Sequence, residues 1–201
     1  MSAGTVQQRR RYRMVARAEA AQATRERVLE AAWQRFAREP FDDVRVADVA
    51  ADAGVSVPTV HARVGGKDEL FVAAWRWHME PEGAQRDTVA AGDVTRAVRV
   101  LYDSYERDGD AVLRLLAHEE RIPAVKEMGD AGRRWHRGWV ERTFAPLLAQ
   151  AAGGERERRL VALVVATDLL VWKLLRREMG LDRGAAERIV TDMIVALKEA
   201  P

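Results

Sequence analysis

Cysteine is absent from the 201 residues. That excludes disulfides, thiolate nucleophiles and cysteine-held metals, and it suits a reducing cytoplasm. Histidine is scarce too: four scattered residues leave too few ligands for a structural zinc site, so no metal and no cofactor is expected. Six prolines and little strand-type punctuation argue against a turn-rich β fold. Neither sign of charge dominates, since 33 Lys and Arg face 31 Asp and Glu, so net charge does not mark a nucleic-acid binder. The beginning of the chain lacks the apolar core of a secretory leader. The longest apolar run, residues 160–175, is short for a membrane span and contains Asp168 and Lys173, so it reads as a buried helix. Catalytic motifs start and then fail. Gly66-Lys67 echoes a phosphate loop, but His61 stands where the first Gly belongs and Asp68 where Ser or Thr belongs. His118-Glu119 opens like a zinc-protease helix, but Ile122 replaces the second His. No enzyme is expected.

What is present is helical. Hydrophobic residues make up 48% and charged residues 32%, with Ala, Leu, Val, Glu and Arg prominent, which favours an all-α chain. Residues 46–64 split into two short helical patterns. Val46, Val49, Ala50 and Ala53 share one face, and Val60 and Val64 return the second pattern to the same core. Gly54 lies where a tight turn needs positive φ. Ser56 follows as N-cap and Pro58 falls in the first turn, where a missing N–H costs nothing. Two short helices on such a turn form either a helix-turn-helix or an ordinary αα-hairpin.

Residues 1–21 carry Arg9, Arg10, Arg11, Arg13 and Arg17 against Glu19 alone, without an apolar stripe. They read as a basic flexible arm, either solvated or touching DNA. A helix capped by Thr24 follows, with the stripe Val28, Leu29, Ala32, Trp33 and Phe36, and Pro40 ends it. Asp43 can cap the next helix. After Gly65-Gly66, a fourth helix opens at Lys67. Pro81-Glu82-Gly83 is the internal boundary, giving an arm (1–21), a first domain (22–80, motif about 45–64) and a second (81–201). Later helices are predicted near 94–107, 111–128, 133–148, 155–178 and 182–199, punctuated by Gly109, Gly129, Gly153-Gly154 and Gly180.

Residues 24–75 resemble the DNA-binding domain of TetR-type transcriptional regulators. The resemblance rests on Arg27-Val28-Leu29-Glu30-Ala31-Ala32 with Phe36, Phe41, Asp48-Val49-Ala50, Ala53-Gly54-Val55-Ser56, Thr59-Val60 and Lys67-Asp68-Glu69-Leu70. It implies a sequence-specific regulator that grips palindromic operator DNA as a homodimer, a repressor released by a small effector. The family's DNA-contacting roles carry over to Ser56, Thr59 and Lys67, the last as a phosphate clamp. Three positions depart from the pattern: Arg45 replaces the usual Thr, His61 the usual Tyr and Val64 the usual Phe. The residue chemistry adds Val57, Pro58 and Ala62, small groups that admit thymine methyls, and Arg63, which reaches either guanine or the backbone. The departures at His61 and Val64 support an alternative, a helical small-molecule-binding or scaffold protein with an impaired DNA-binding domain.

The second half is expected to bind the effector and to dimerise. A continuous helix over 155–178, apolar nearly all round, would pack one face inward and the other on a partner subunit, together with the last helix. Expected interface residues are Val164, Leu169, Leu175, Ile189, Met193, Ile194 and Leu197; a monomeric bundle that uses both stripes internally is the other outcome. Tyr105, His118, Trp135, Trp139, Asp168 and Trp172 are the candidate lining for a mostly apolar effector, flat and hydrophobic or weakly cationic.

Overall fold

The computed structural model describes the backbone of residues 3–199 and the side chains of residues 14–197. Among the described residues there are ten α-helices, one π-helical turn and no strand, as the composition implies. The chain divides into two compact units, Met1–His78 and Met79–Pro201.

In the first unit, α1 (Ala3–Phe36) extends through most of the stretch expected to be a flexible arm. Ala, Gln and Arg are strong helix formers, and a helix already anchored downstream propagates through them at little cost. The side chains of Arg9, Arg10, Arg11 and Arg13 lie outside the described residues. Thr24 is therefore not a cap. It lies inside α1 and its hydroxyl donates back to the Ala20 carbonyl at 2.8 Å. The buried stripe begins only at Val28 and runs through Leu29, Ala32, Trp33 and Phe36. Phe36 meets Phe41 at 5.5 Å and Phe71 at 5.1 Å, and Trp33 meets Trp75 edge-on at 5.8 Å, so aromatics join α1 to α4 (Lys67–Asp87). Between them stand α2 (Val46–Asp52) and α3 (Val57–Arg63), both packed on α1. Pro81 does not end α4, which continues through the Pro81-Glu82-Gly83 stretch.

The second unit contains the remainder of α4 and α5 to α10. α5 (Val94–Leu116) is capped by Asp93, whose carboxylate accepts from the Arg96 amide at 3.0 Å. The break expected at Gly109 does not occur. A Cβ there would sit 2.6 Å from the Trp172 ring, so this glycine serves packing and not chain reversal. Gly129 behaves likewise inside α6 (Pro123–Thr143), 2.9 Å from Leu116. Pro123 opens α6, where its missing N–H is harmless, and does not kink a longer helix. After α7 (Ala145–Leu148) comes α8 (Gly153–Ala166). The single helix predicted for 155–178 is thus two pieces. α9 (Leu169–Lys173) starts afresh and passes into the π turn Leu174–Glu178. Asp182 caps α10 (Arg183–Glu199) by accepting from the Ala185 amide at 2.8 Å. Leu101, Trp139, Phe144, Leu148, Leu163, Trp172, Val190 and Ile194 form the core of this unit.

Candidate functional site

The helix-turn-helix stretch folds as its residues require. Gly54 takes φ +66°, and the turn closes through Val55 N–H to the Ala50 carbonyl at 2.9 Å. From α1, Arg27 Nε reaches the Ala53 carbonyl at 3.5 Å and Arg35 Nε donates to Asp52 at 2.6 Å, so α1 holds α2 by charge as well as by apolar packing. The Arg35 guanidinium keeps the Asp52 carboxyl below the ordinary carboxylate range. Asp43 is not the cap expected for α2. That position is Arg45, which folds onto Asp48 through two hydrogen bonds of 2.8 and 3.3 Å and remains largely exposed.

On α3, Val60 is fully buried and fixes the helix on the core. Pro58, His61, Ala62 and Arg63 are exposed, while Val57 and Thr59 are half-buried. Ser56 occupies the N-cap position without bonding the backbone; its hydroxyl pairs with that of Thr59 at 2.8 Å. Val64 is the C-cap and only half-buried, so it contributes less core than its periodicity suggested. Lys67 Nζ donates to the Asp42 carbonyl at 2.9 Å and lies 4.8 Å from the Phe41 ring centre. An ammonium with three donors keeps two for a further acceptor.

In the second unit, a polar cluster lies among aromatic rings. Arg86, 3% exposed, forms an ion pair with Glu82, 2% exposed, one helical turn before it. Its guanidinium lies 4.7 Å from the Trp135 ring centre, 5.3 Å from Trp139 and 5.8 Å from Tyr105. Arg86 Nη1 faces His136 Nδ1 at 3.2 Å; a guanidinium only donates, so Nδ1 accepts and the ring proton sits on Nε2. That proton goes to the Thr167 hydroxyl at 3.1 Å, which donates to the Leu163 carbonyl at 2.7 Å. Tyr105 donates its hydroxyl to the Thr167 carbonyl at 2.9 Å.

The six expected lining residues are only partly assembled here. Tyr105, Trp135 and Trp139 surround Arg86, and Asp168 lies beside them, its carboxylate accepting from the Leu170 amide at 2.8 Å to start α9. Trp172, like Trp139, is 1% exposed and part of the core; it lies 6.1 Å from the Tyr105 ring centre and donates Nε1 to Glu106 at 2.9 Å. His118 stands in the turn after α5, and among the described residues no hydrogen bond or ring contact joins it to the cluster. Sequence reasoning missed Glu82, Arg86 and Thr167. The i, i+4 spacing of Glu82 and Arg86 was a usable signal, although it more often marks a solvated pair.

Burial first and the Arg86 charge second push the His136 pKa down to about 3. The folded protein thus holds this ring neutral where the unfolded chain protonates it below about 6.5. Its contribution to stability is complete above that pH and is lost as pH falls, at up to about 1.4 kcal/mol per pH unit until the folded value is reached. Urea midpoints measured from pH 7.5 to 5 should therefore fall less steeply in His136→Gln than in the wild type.

The expected dimer face needs correction. Ile194 is 0% exposed and Leu175 is buried, so both belong to the bundle interior, and Val164, Leu169 and Leu197 are partly buried against the same core. Exposed apolar side chains on these elements are Val161, Val165, Leu170 and Leu174 on α8, α9 and the π turn, with Met179 just after it, and Ile189, Met193 and Val195 on α10, which packs against α8.

Comparison with known proteins places this geometry. Residues 28–74 match the family model described as bacterial regulatory proteins, tetR family. A transcriptional regulator from Rhodococcus sp. Rha1 shares the fold at a TM-score of 0.66, with 20% identity over 87% of this chain and 96% of that one. A tetR-family transcriptional regulator from Streptomyces coelicolor does so at 0.67, with 19% identity over 86% and 81%. The multidrug binding protein EbrR, complexed with imidazole, aligns at 0.57, with 20% identity over 85% and 89%. No curated protein gives a significant match.

Proposed function

We propose that this chain, a DNA-binding transcriptional regulator with the tetR-family domain at residues 28–74, acts as a homodimeric repressor that holds a palindromic operator and leaves it when a small, mostly apolar effector binds. The observation that carries the DNA-binding reading is the exposed face of α3. Pro58, His61, Ala62 and Arg63 project from a helix whose opposite side is fixed by the buried Val60. A helix so held can enter the major groove, where Arg63 reaches base edges or phosphate and Ala62 touches thymine methyls. Ser56, Val57 and Thr59 stand at its N-terminal end, the end such motifs present to DNA. Arg45 and Lys67 supply phosphate contacts, which fix docking without reading sequence.

The dimer reading rests on the seven exposed apolar side chains of α8, α9, the π turn and α10, a larger unpartnered apolar set than a monomer ordinarily leaves in water. The effector reading rests on the aromatic cluster around Arg86, and it gains support from the ligand-bound state of one fold relative. The site of action is the cytoplasm, where the operator is.

Selection of bound DNA from a random pool tests the reading and returns the operator. A pool that yields no enriched sequence, with affinity equal for all DNA, overturns it. Lys67→Ala should weaken specific and random DNA alike and lower the slope of log affinity against log salt by about 1. Arg63→Ala should instead relax the preference at one base pair, at about 1–3 kcal/mol, if its contact is to a base.

A further inference from the structure

The positive charge of this chain is concentrated at its beginning. Residues 1–24 hold five arginines against one glutamate, a net +4, which leaves 28 basic against 30 acidic residues, a net −2, for all the rest. The five arginines stand at positions 9, 10, 11, 13 and 17 of α1, before its buried stripe starts at Val28. Over residues 14–27 every side chain is exposed or half-buried, so this part of the helix has no core to serve. Its charge also works against it: positions 9, 13 and 17 follow one another at four residues, and like charges at that spacing repel.

Two contacts fix the side of α1 on which these positions stand. Arg27 reaches the Ala53 carbonyl in the turn, and Arg35 reaches Asp52 at the end of α2. Arg9 stands 18 residues before Arg27, and Arg17 stands 18 before Arg35, about five full helical turns in each case. Positions 9 and 17, with 13 between them and 10 beside them in register, therefore continue the side of α1 that meets the helix-turn-helix. Glu19, Glu26 and Glu30 fall on the other side. The turn that Arg27 touches leads into the N-terminal end of α3, the end such motifs present to DNA. Positions 17 to 9 lie roughly 15–27 Å further along the helix from Arg27.

From this we propose that residues 9–17 of α1 form a second DNA-binding element, which takes phosphates of the duplex beside the half-site that α3 reads and reads no bases itself. The inference rests on the DNA-binding reading of α3. Charge complementarity and continuity with the α3 end name the partner, since duplex DNA offers about one negative charge per 1.7 Å. An anionic membrane fits less well, because a helix lying on a bilayer needs an apolar face and this segment has no apolar stripe.

The test sets the full-length wild type beside R9Q/R10Q/R13Q/R17Q and R9K/R10K/R13K/R17K, on selected operator and on random duplex, between about 50 and 200 mM salt. Gln, Lys and Arg are similar helix formers, and circular dichroism melts verify that both variants fold like the wild type. The glutamine variant is expected to lower the slope of log affinity against log salt by at least about 2 on both DNAs, and operator affinity by about 10- to 1,000-fold. The lysine variant should keep both, because a phosphate asks for charge here, and neither variant should change the preferred sequence. Ethylation interference should reveal phosphates that the wild type needs and the glutamine variant does not. A glutamine variant with the wild-type slope, or a lysine variant as weak as the glutamine one, overturns the assignment. So does binding to phosphatidylglycerol vesicles that the glutamine variant loses while its operator affinity is unchanged, which would make the partner a membrane. A wild type that binds no DNA sinks the DNA-binding reading together with this one, whereas a glutamine variant equal to the wild type on its operator sinks this inference alone.

Discussion

The double variant L170D/M193D is expected to be a folded monomer that has lost about 10²- to 10⁴-fold in operator affinity. The argument begins with exposure. Leu170 is 62% exposed and Met193 42%, so each substitution removes little from the interior of its own bundle. In the proposed dimer the same side chains are covered, and an aspartate there would be desolvated against its symmetry mate without a cation to meet it. Two such pairs exceed what a typical interface can absorb, since single central anchors already account for about 2–4 kcal/mol. The loss at the operator follows from linkage. Two reading helices in one particle engage two half-sites at high effective concentration, and a monomer forfeits that gain entirely. Light scattering at micromolar concentration and a titration of operator DNA give the two readings. A variant that stays dimeric would transfer the interface to another face. I194D is the contrast: that side chain is fully buried, so the substitution should unfold the second unit and not merely divide the dimer.

Trp172→Ala is expected to lower unfolding free energy by about 3–5 kcal/mol, a large share of what a domain of this size possesses. The indole is almost wholly buried and fills the groove that Gly109 leaves on α5. One edge donates to Glu106, whose carboxyl is kept below its ordinary range chiefly by Arg176, and the Arg177 guanidinium covers a face at 4.5 Å. Truncation removes the packing on α5, α9 and the π turn together and leaves a cavity that the helices cannot close without giving up those ion pairs. Urea unfolding followed by circular dichroism measures the effect. A loss below about 1 kcal/mol would mean that the ring contributes ligand contacts and not core. Trp172→Phe should recover most of the packing but not the bond to Glu106.

Trp172 and its glycine socket also mark the boundary between what the sequence made legible and what it hid. The helix-turn-helix was legible because its determinants are local: Gly54 needs a positive φ, Pro58 needs a first turn, and Val49, Ala50 and Val60 need one face. The second unit was legible as helices and poorly legible as a bundle. Gly109 and Gly129 look like punctuation in one dimension, and only a side chain from another helix reveals that they are sockets. The arginine-rich beginning looked like an arm because it lacks an apolar stripe, yet helix propagation needs no stripe. Glu82, between a proline and a glycine, and Arg86, four positions on, stand in a stretch with no apolar periodicity to mark them as buried. The rings around Arg86, those of Tyr105, Trp135 and Trp139, reach it from 19 to 53 positions away.

The discontinuity between α8 and α9 has a consequence for how the gene can change. No proline or glycine marks it. Asp168 starts the new helix, and Tyr105 and His136 hold Thr167 from outside. On an unbroken helix, residue 172 would share the side of Val161 and Val165; instead it is buried, and Leu170 and Leu174 take the solvent side. The junction therefore shifts the phase of the apolar stripe partway along. Each residue added to or removed from a helix turns everything beyond it by about 100°. Loss of one codon between 165 and 170 would swing Leu170 and Leu174 off the exposed side and drag Trp172 out of its socket on Gly109. Point substitution among Val, Leu and Ile at these positions would cost far less. This junction should tolerate changes of spelling and reject changes of length.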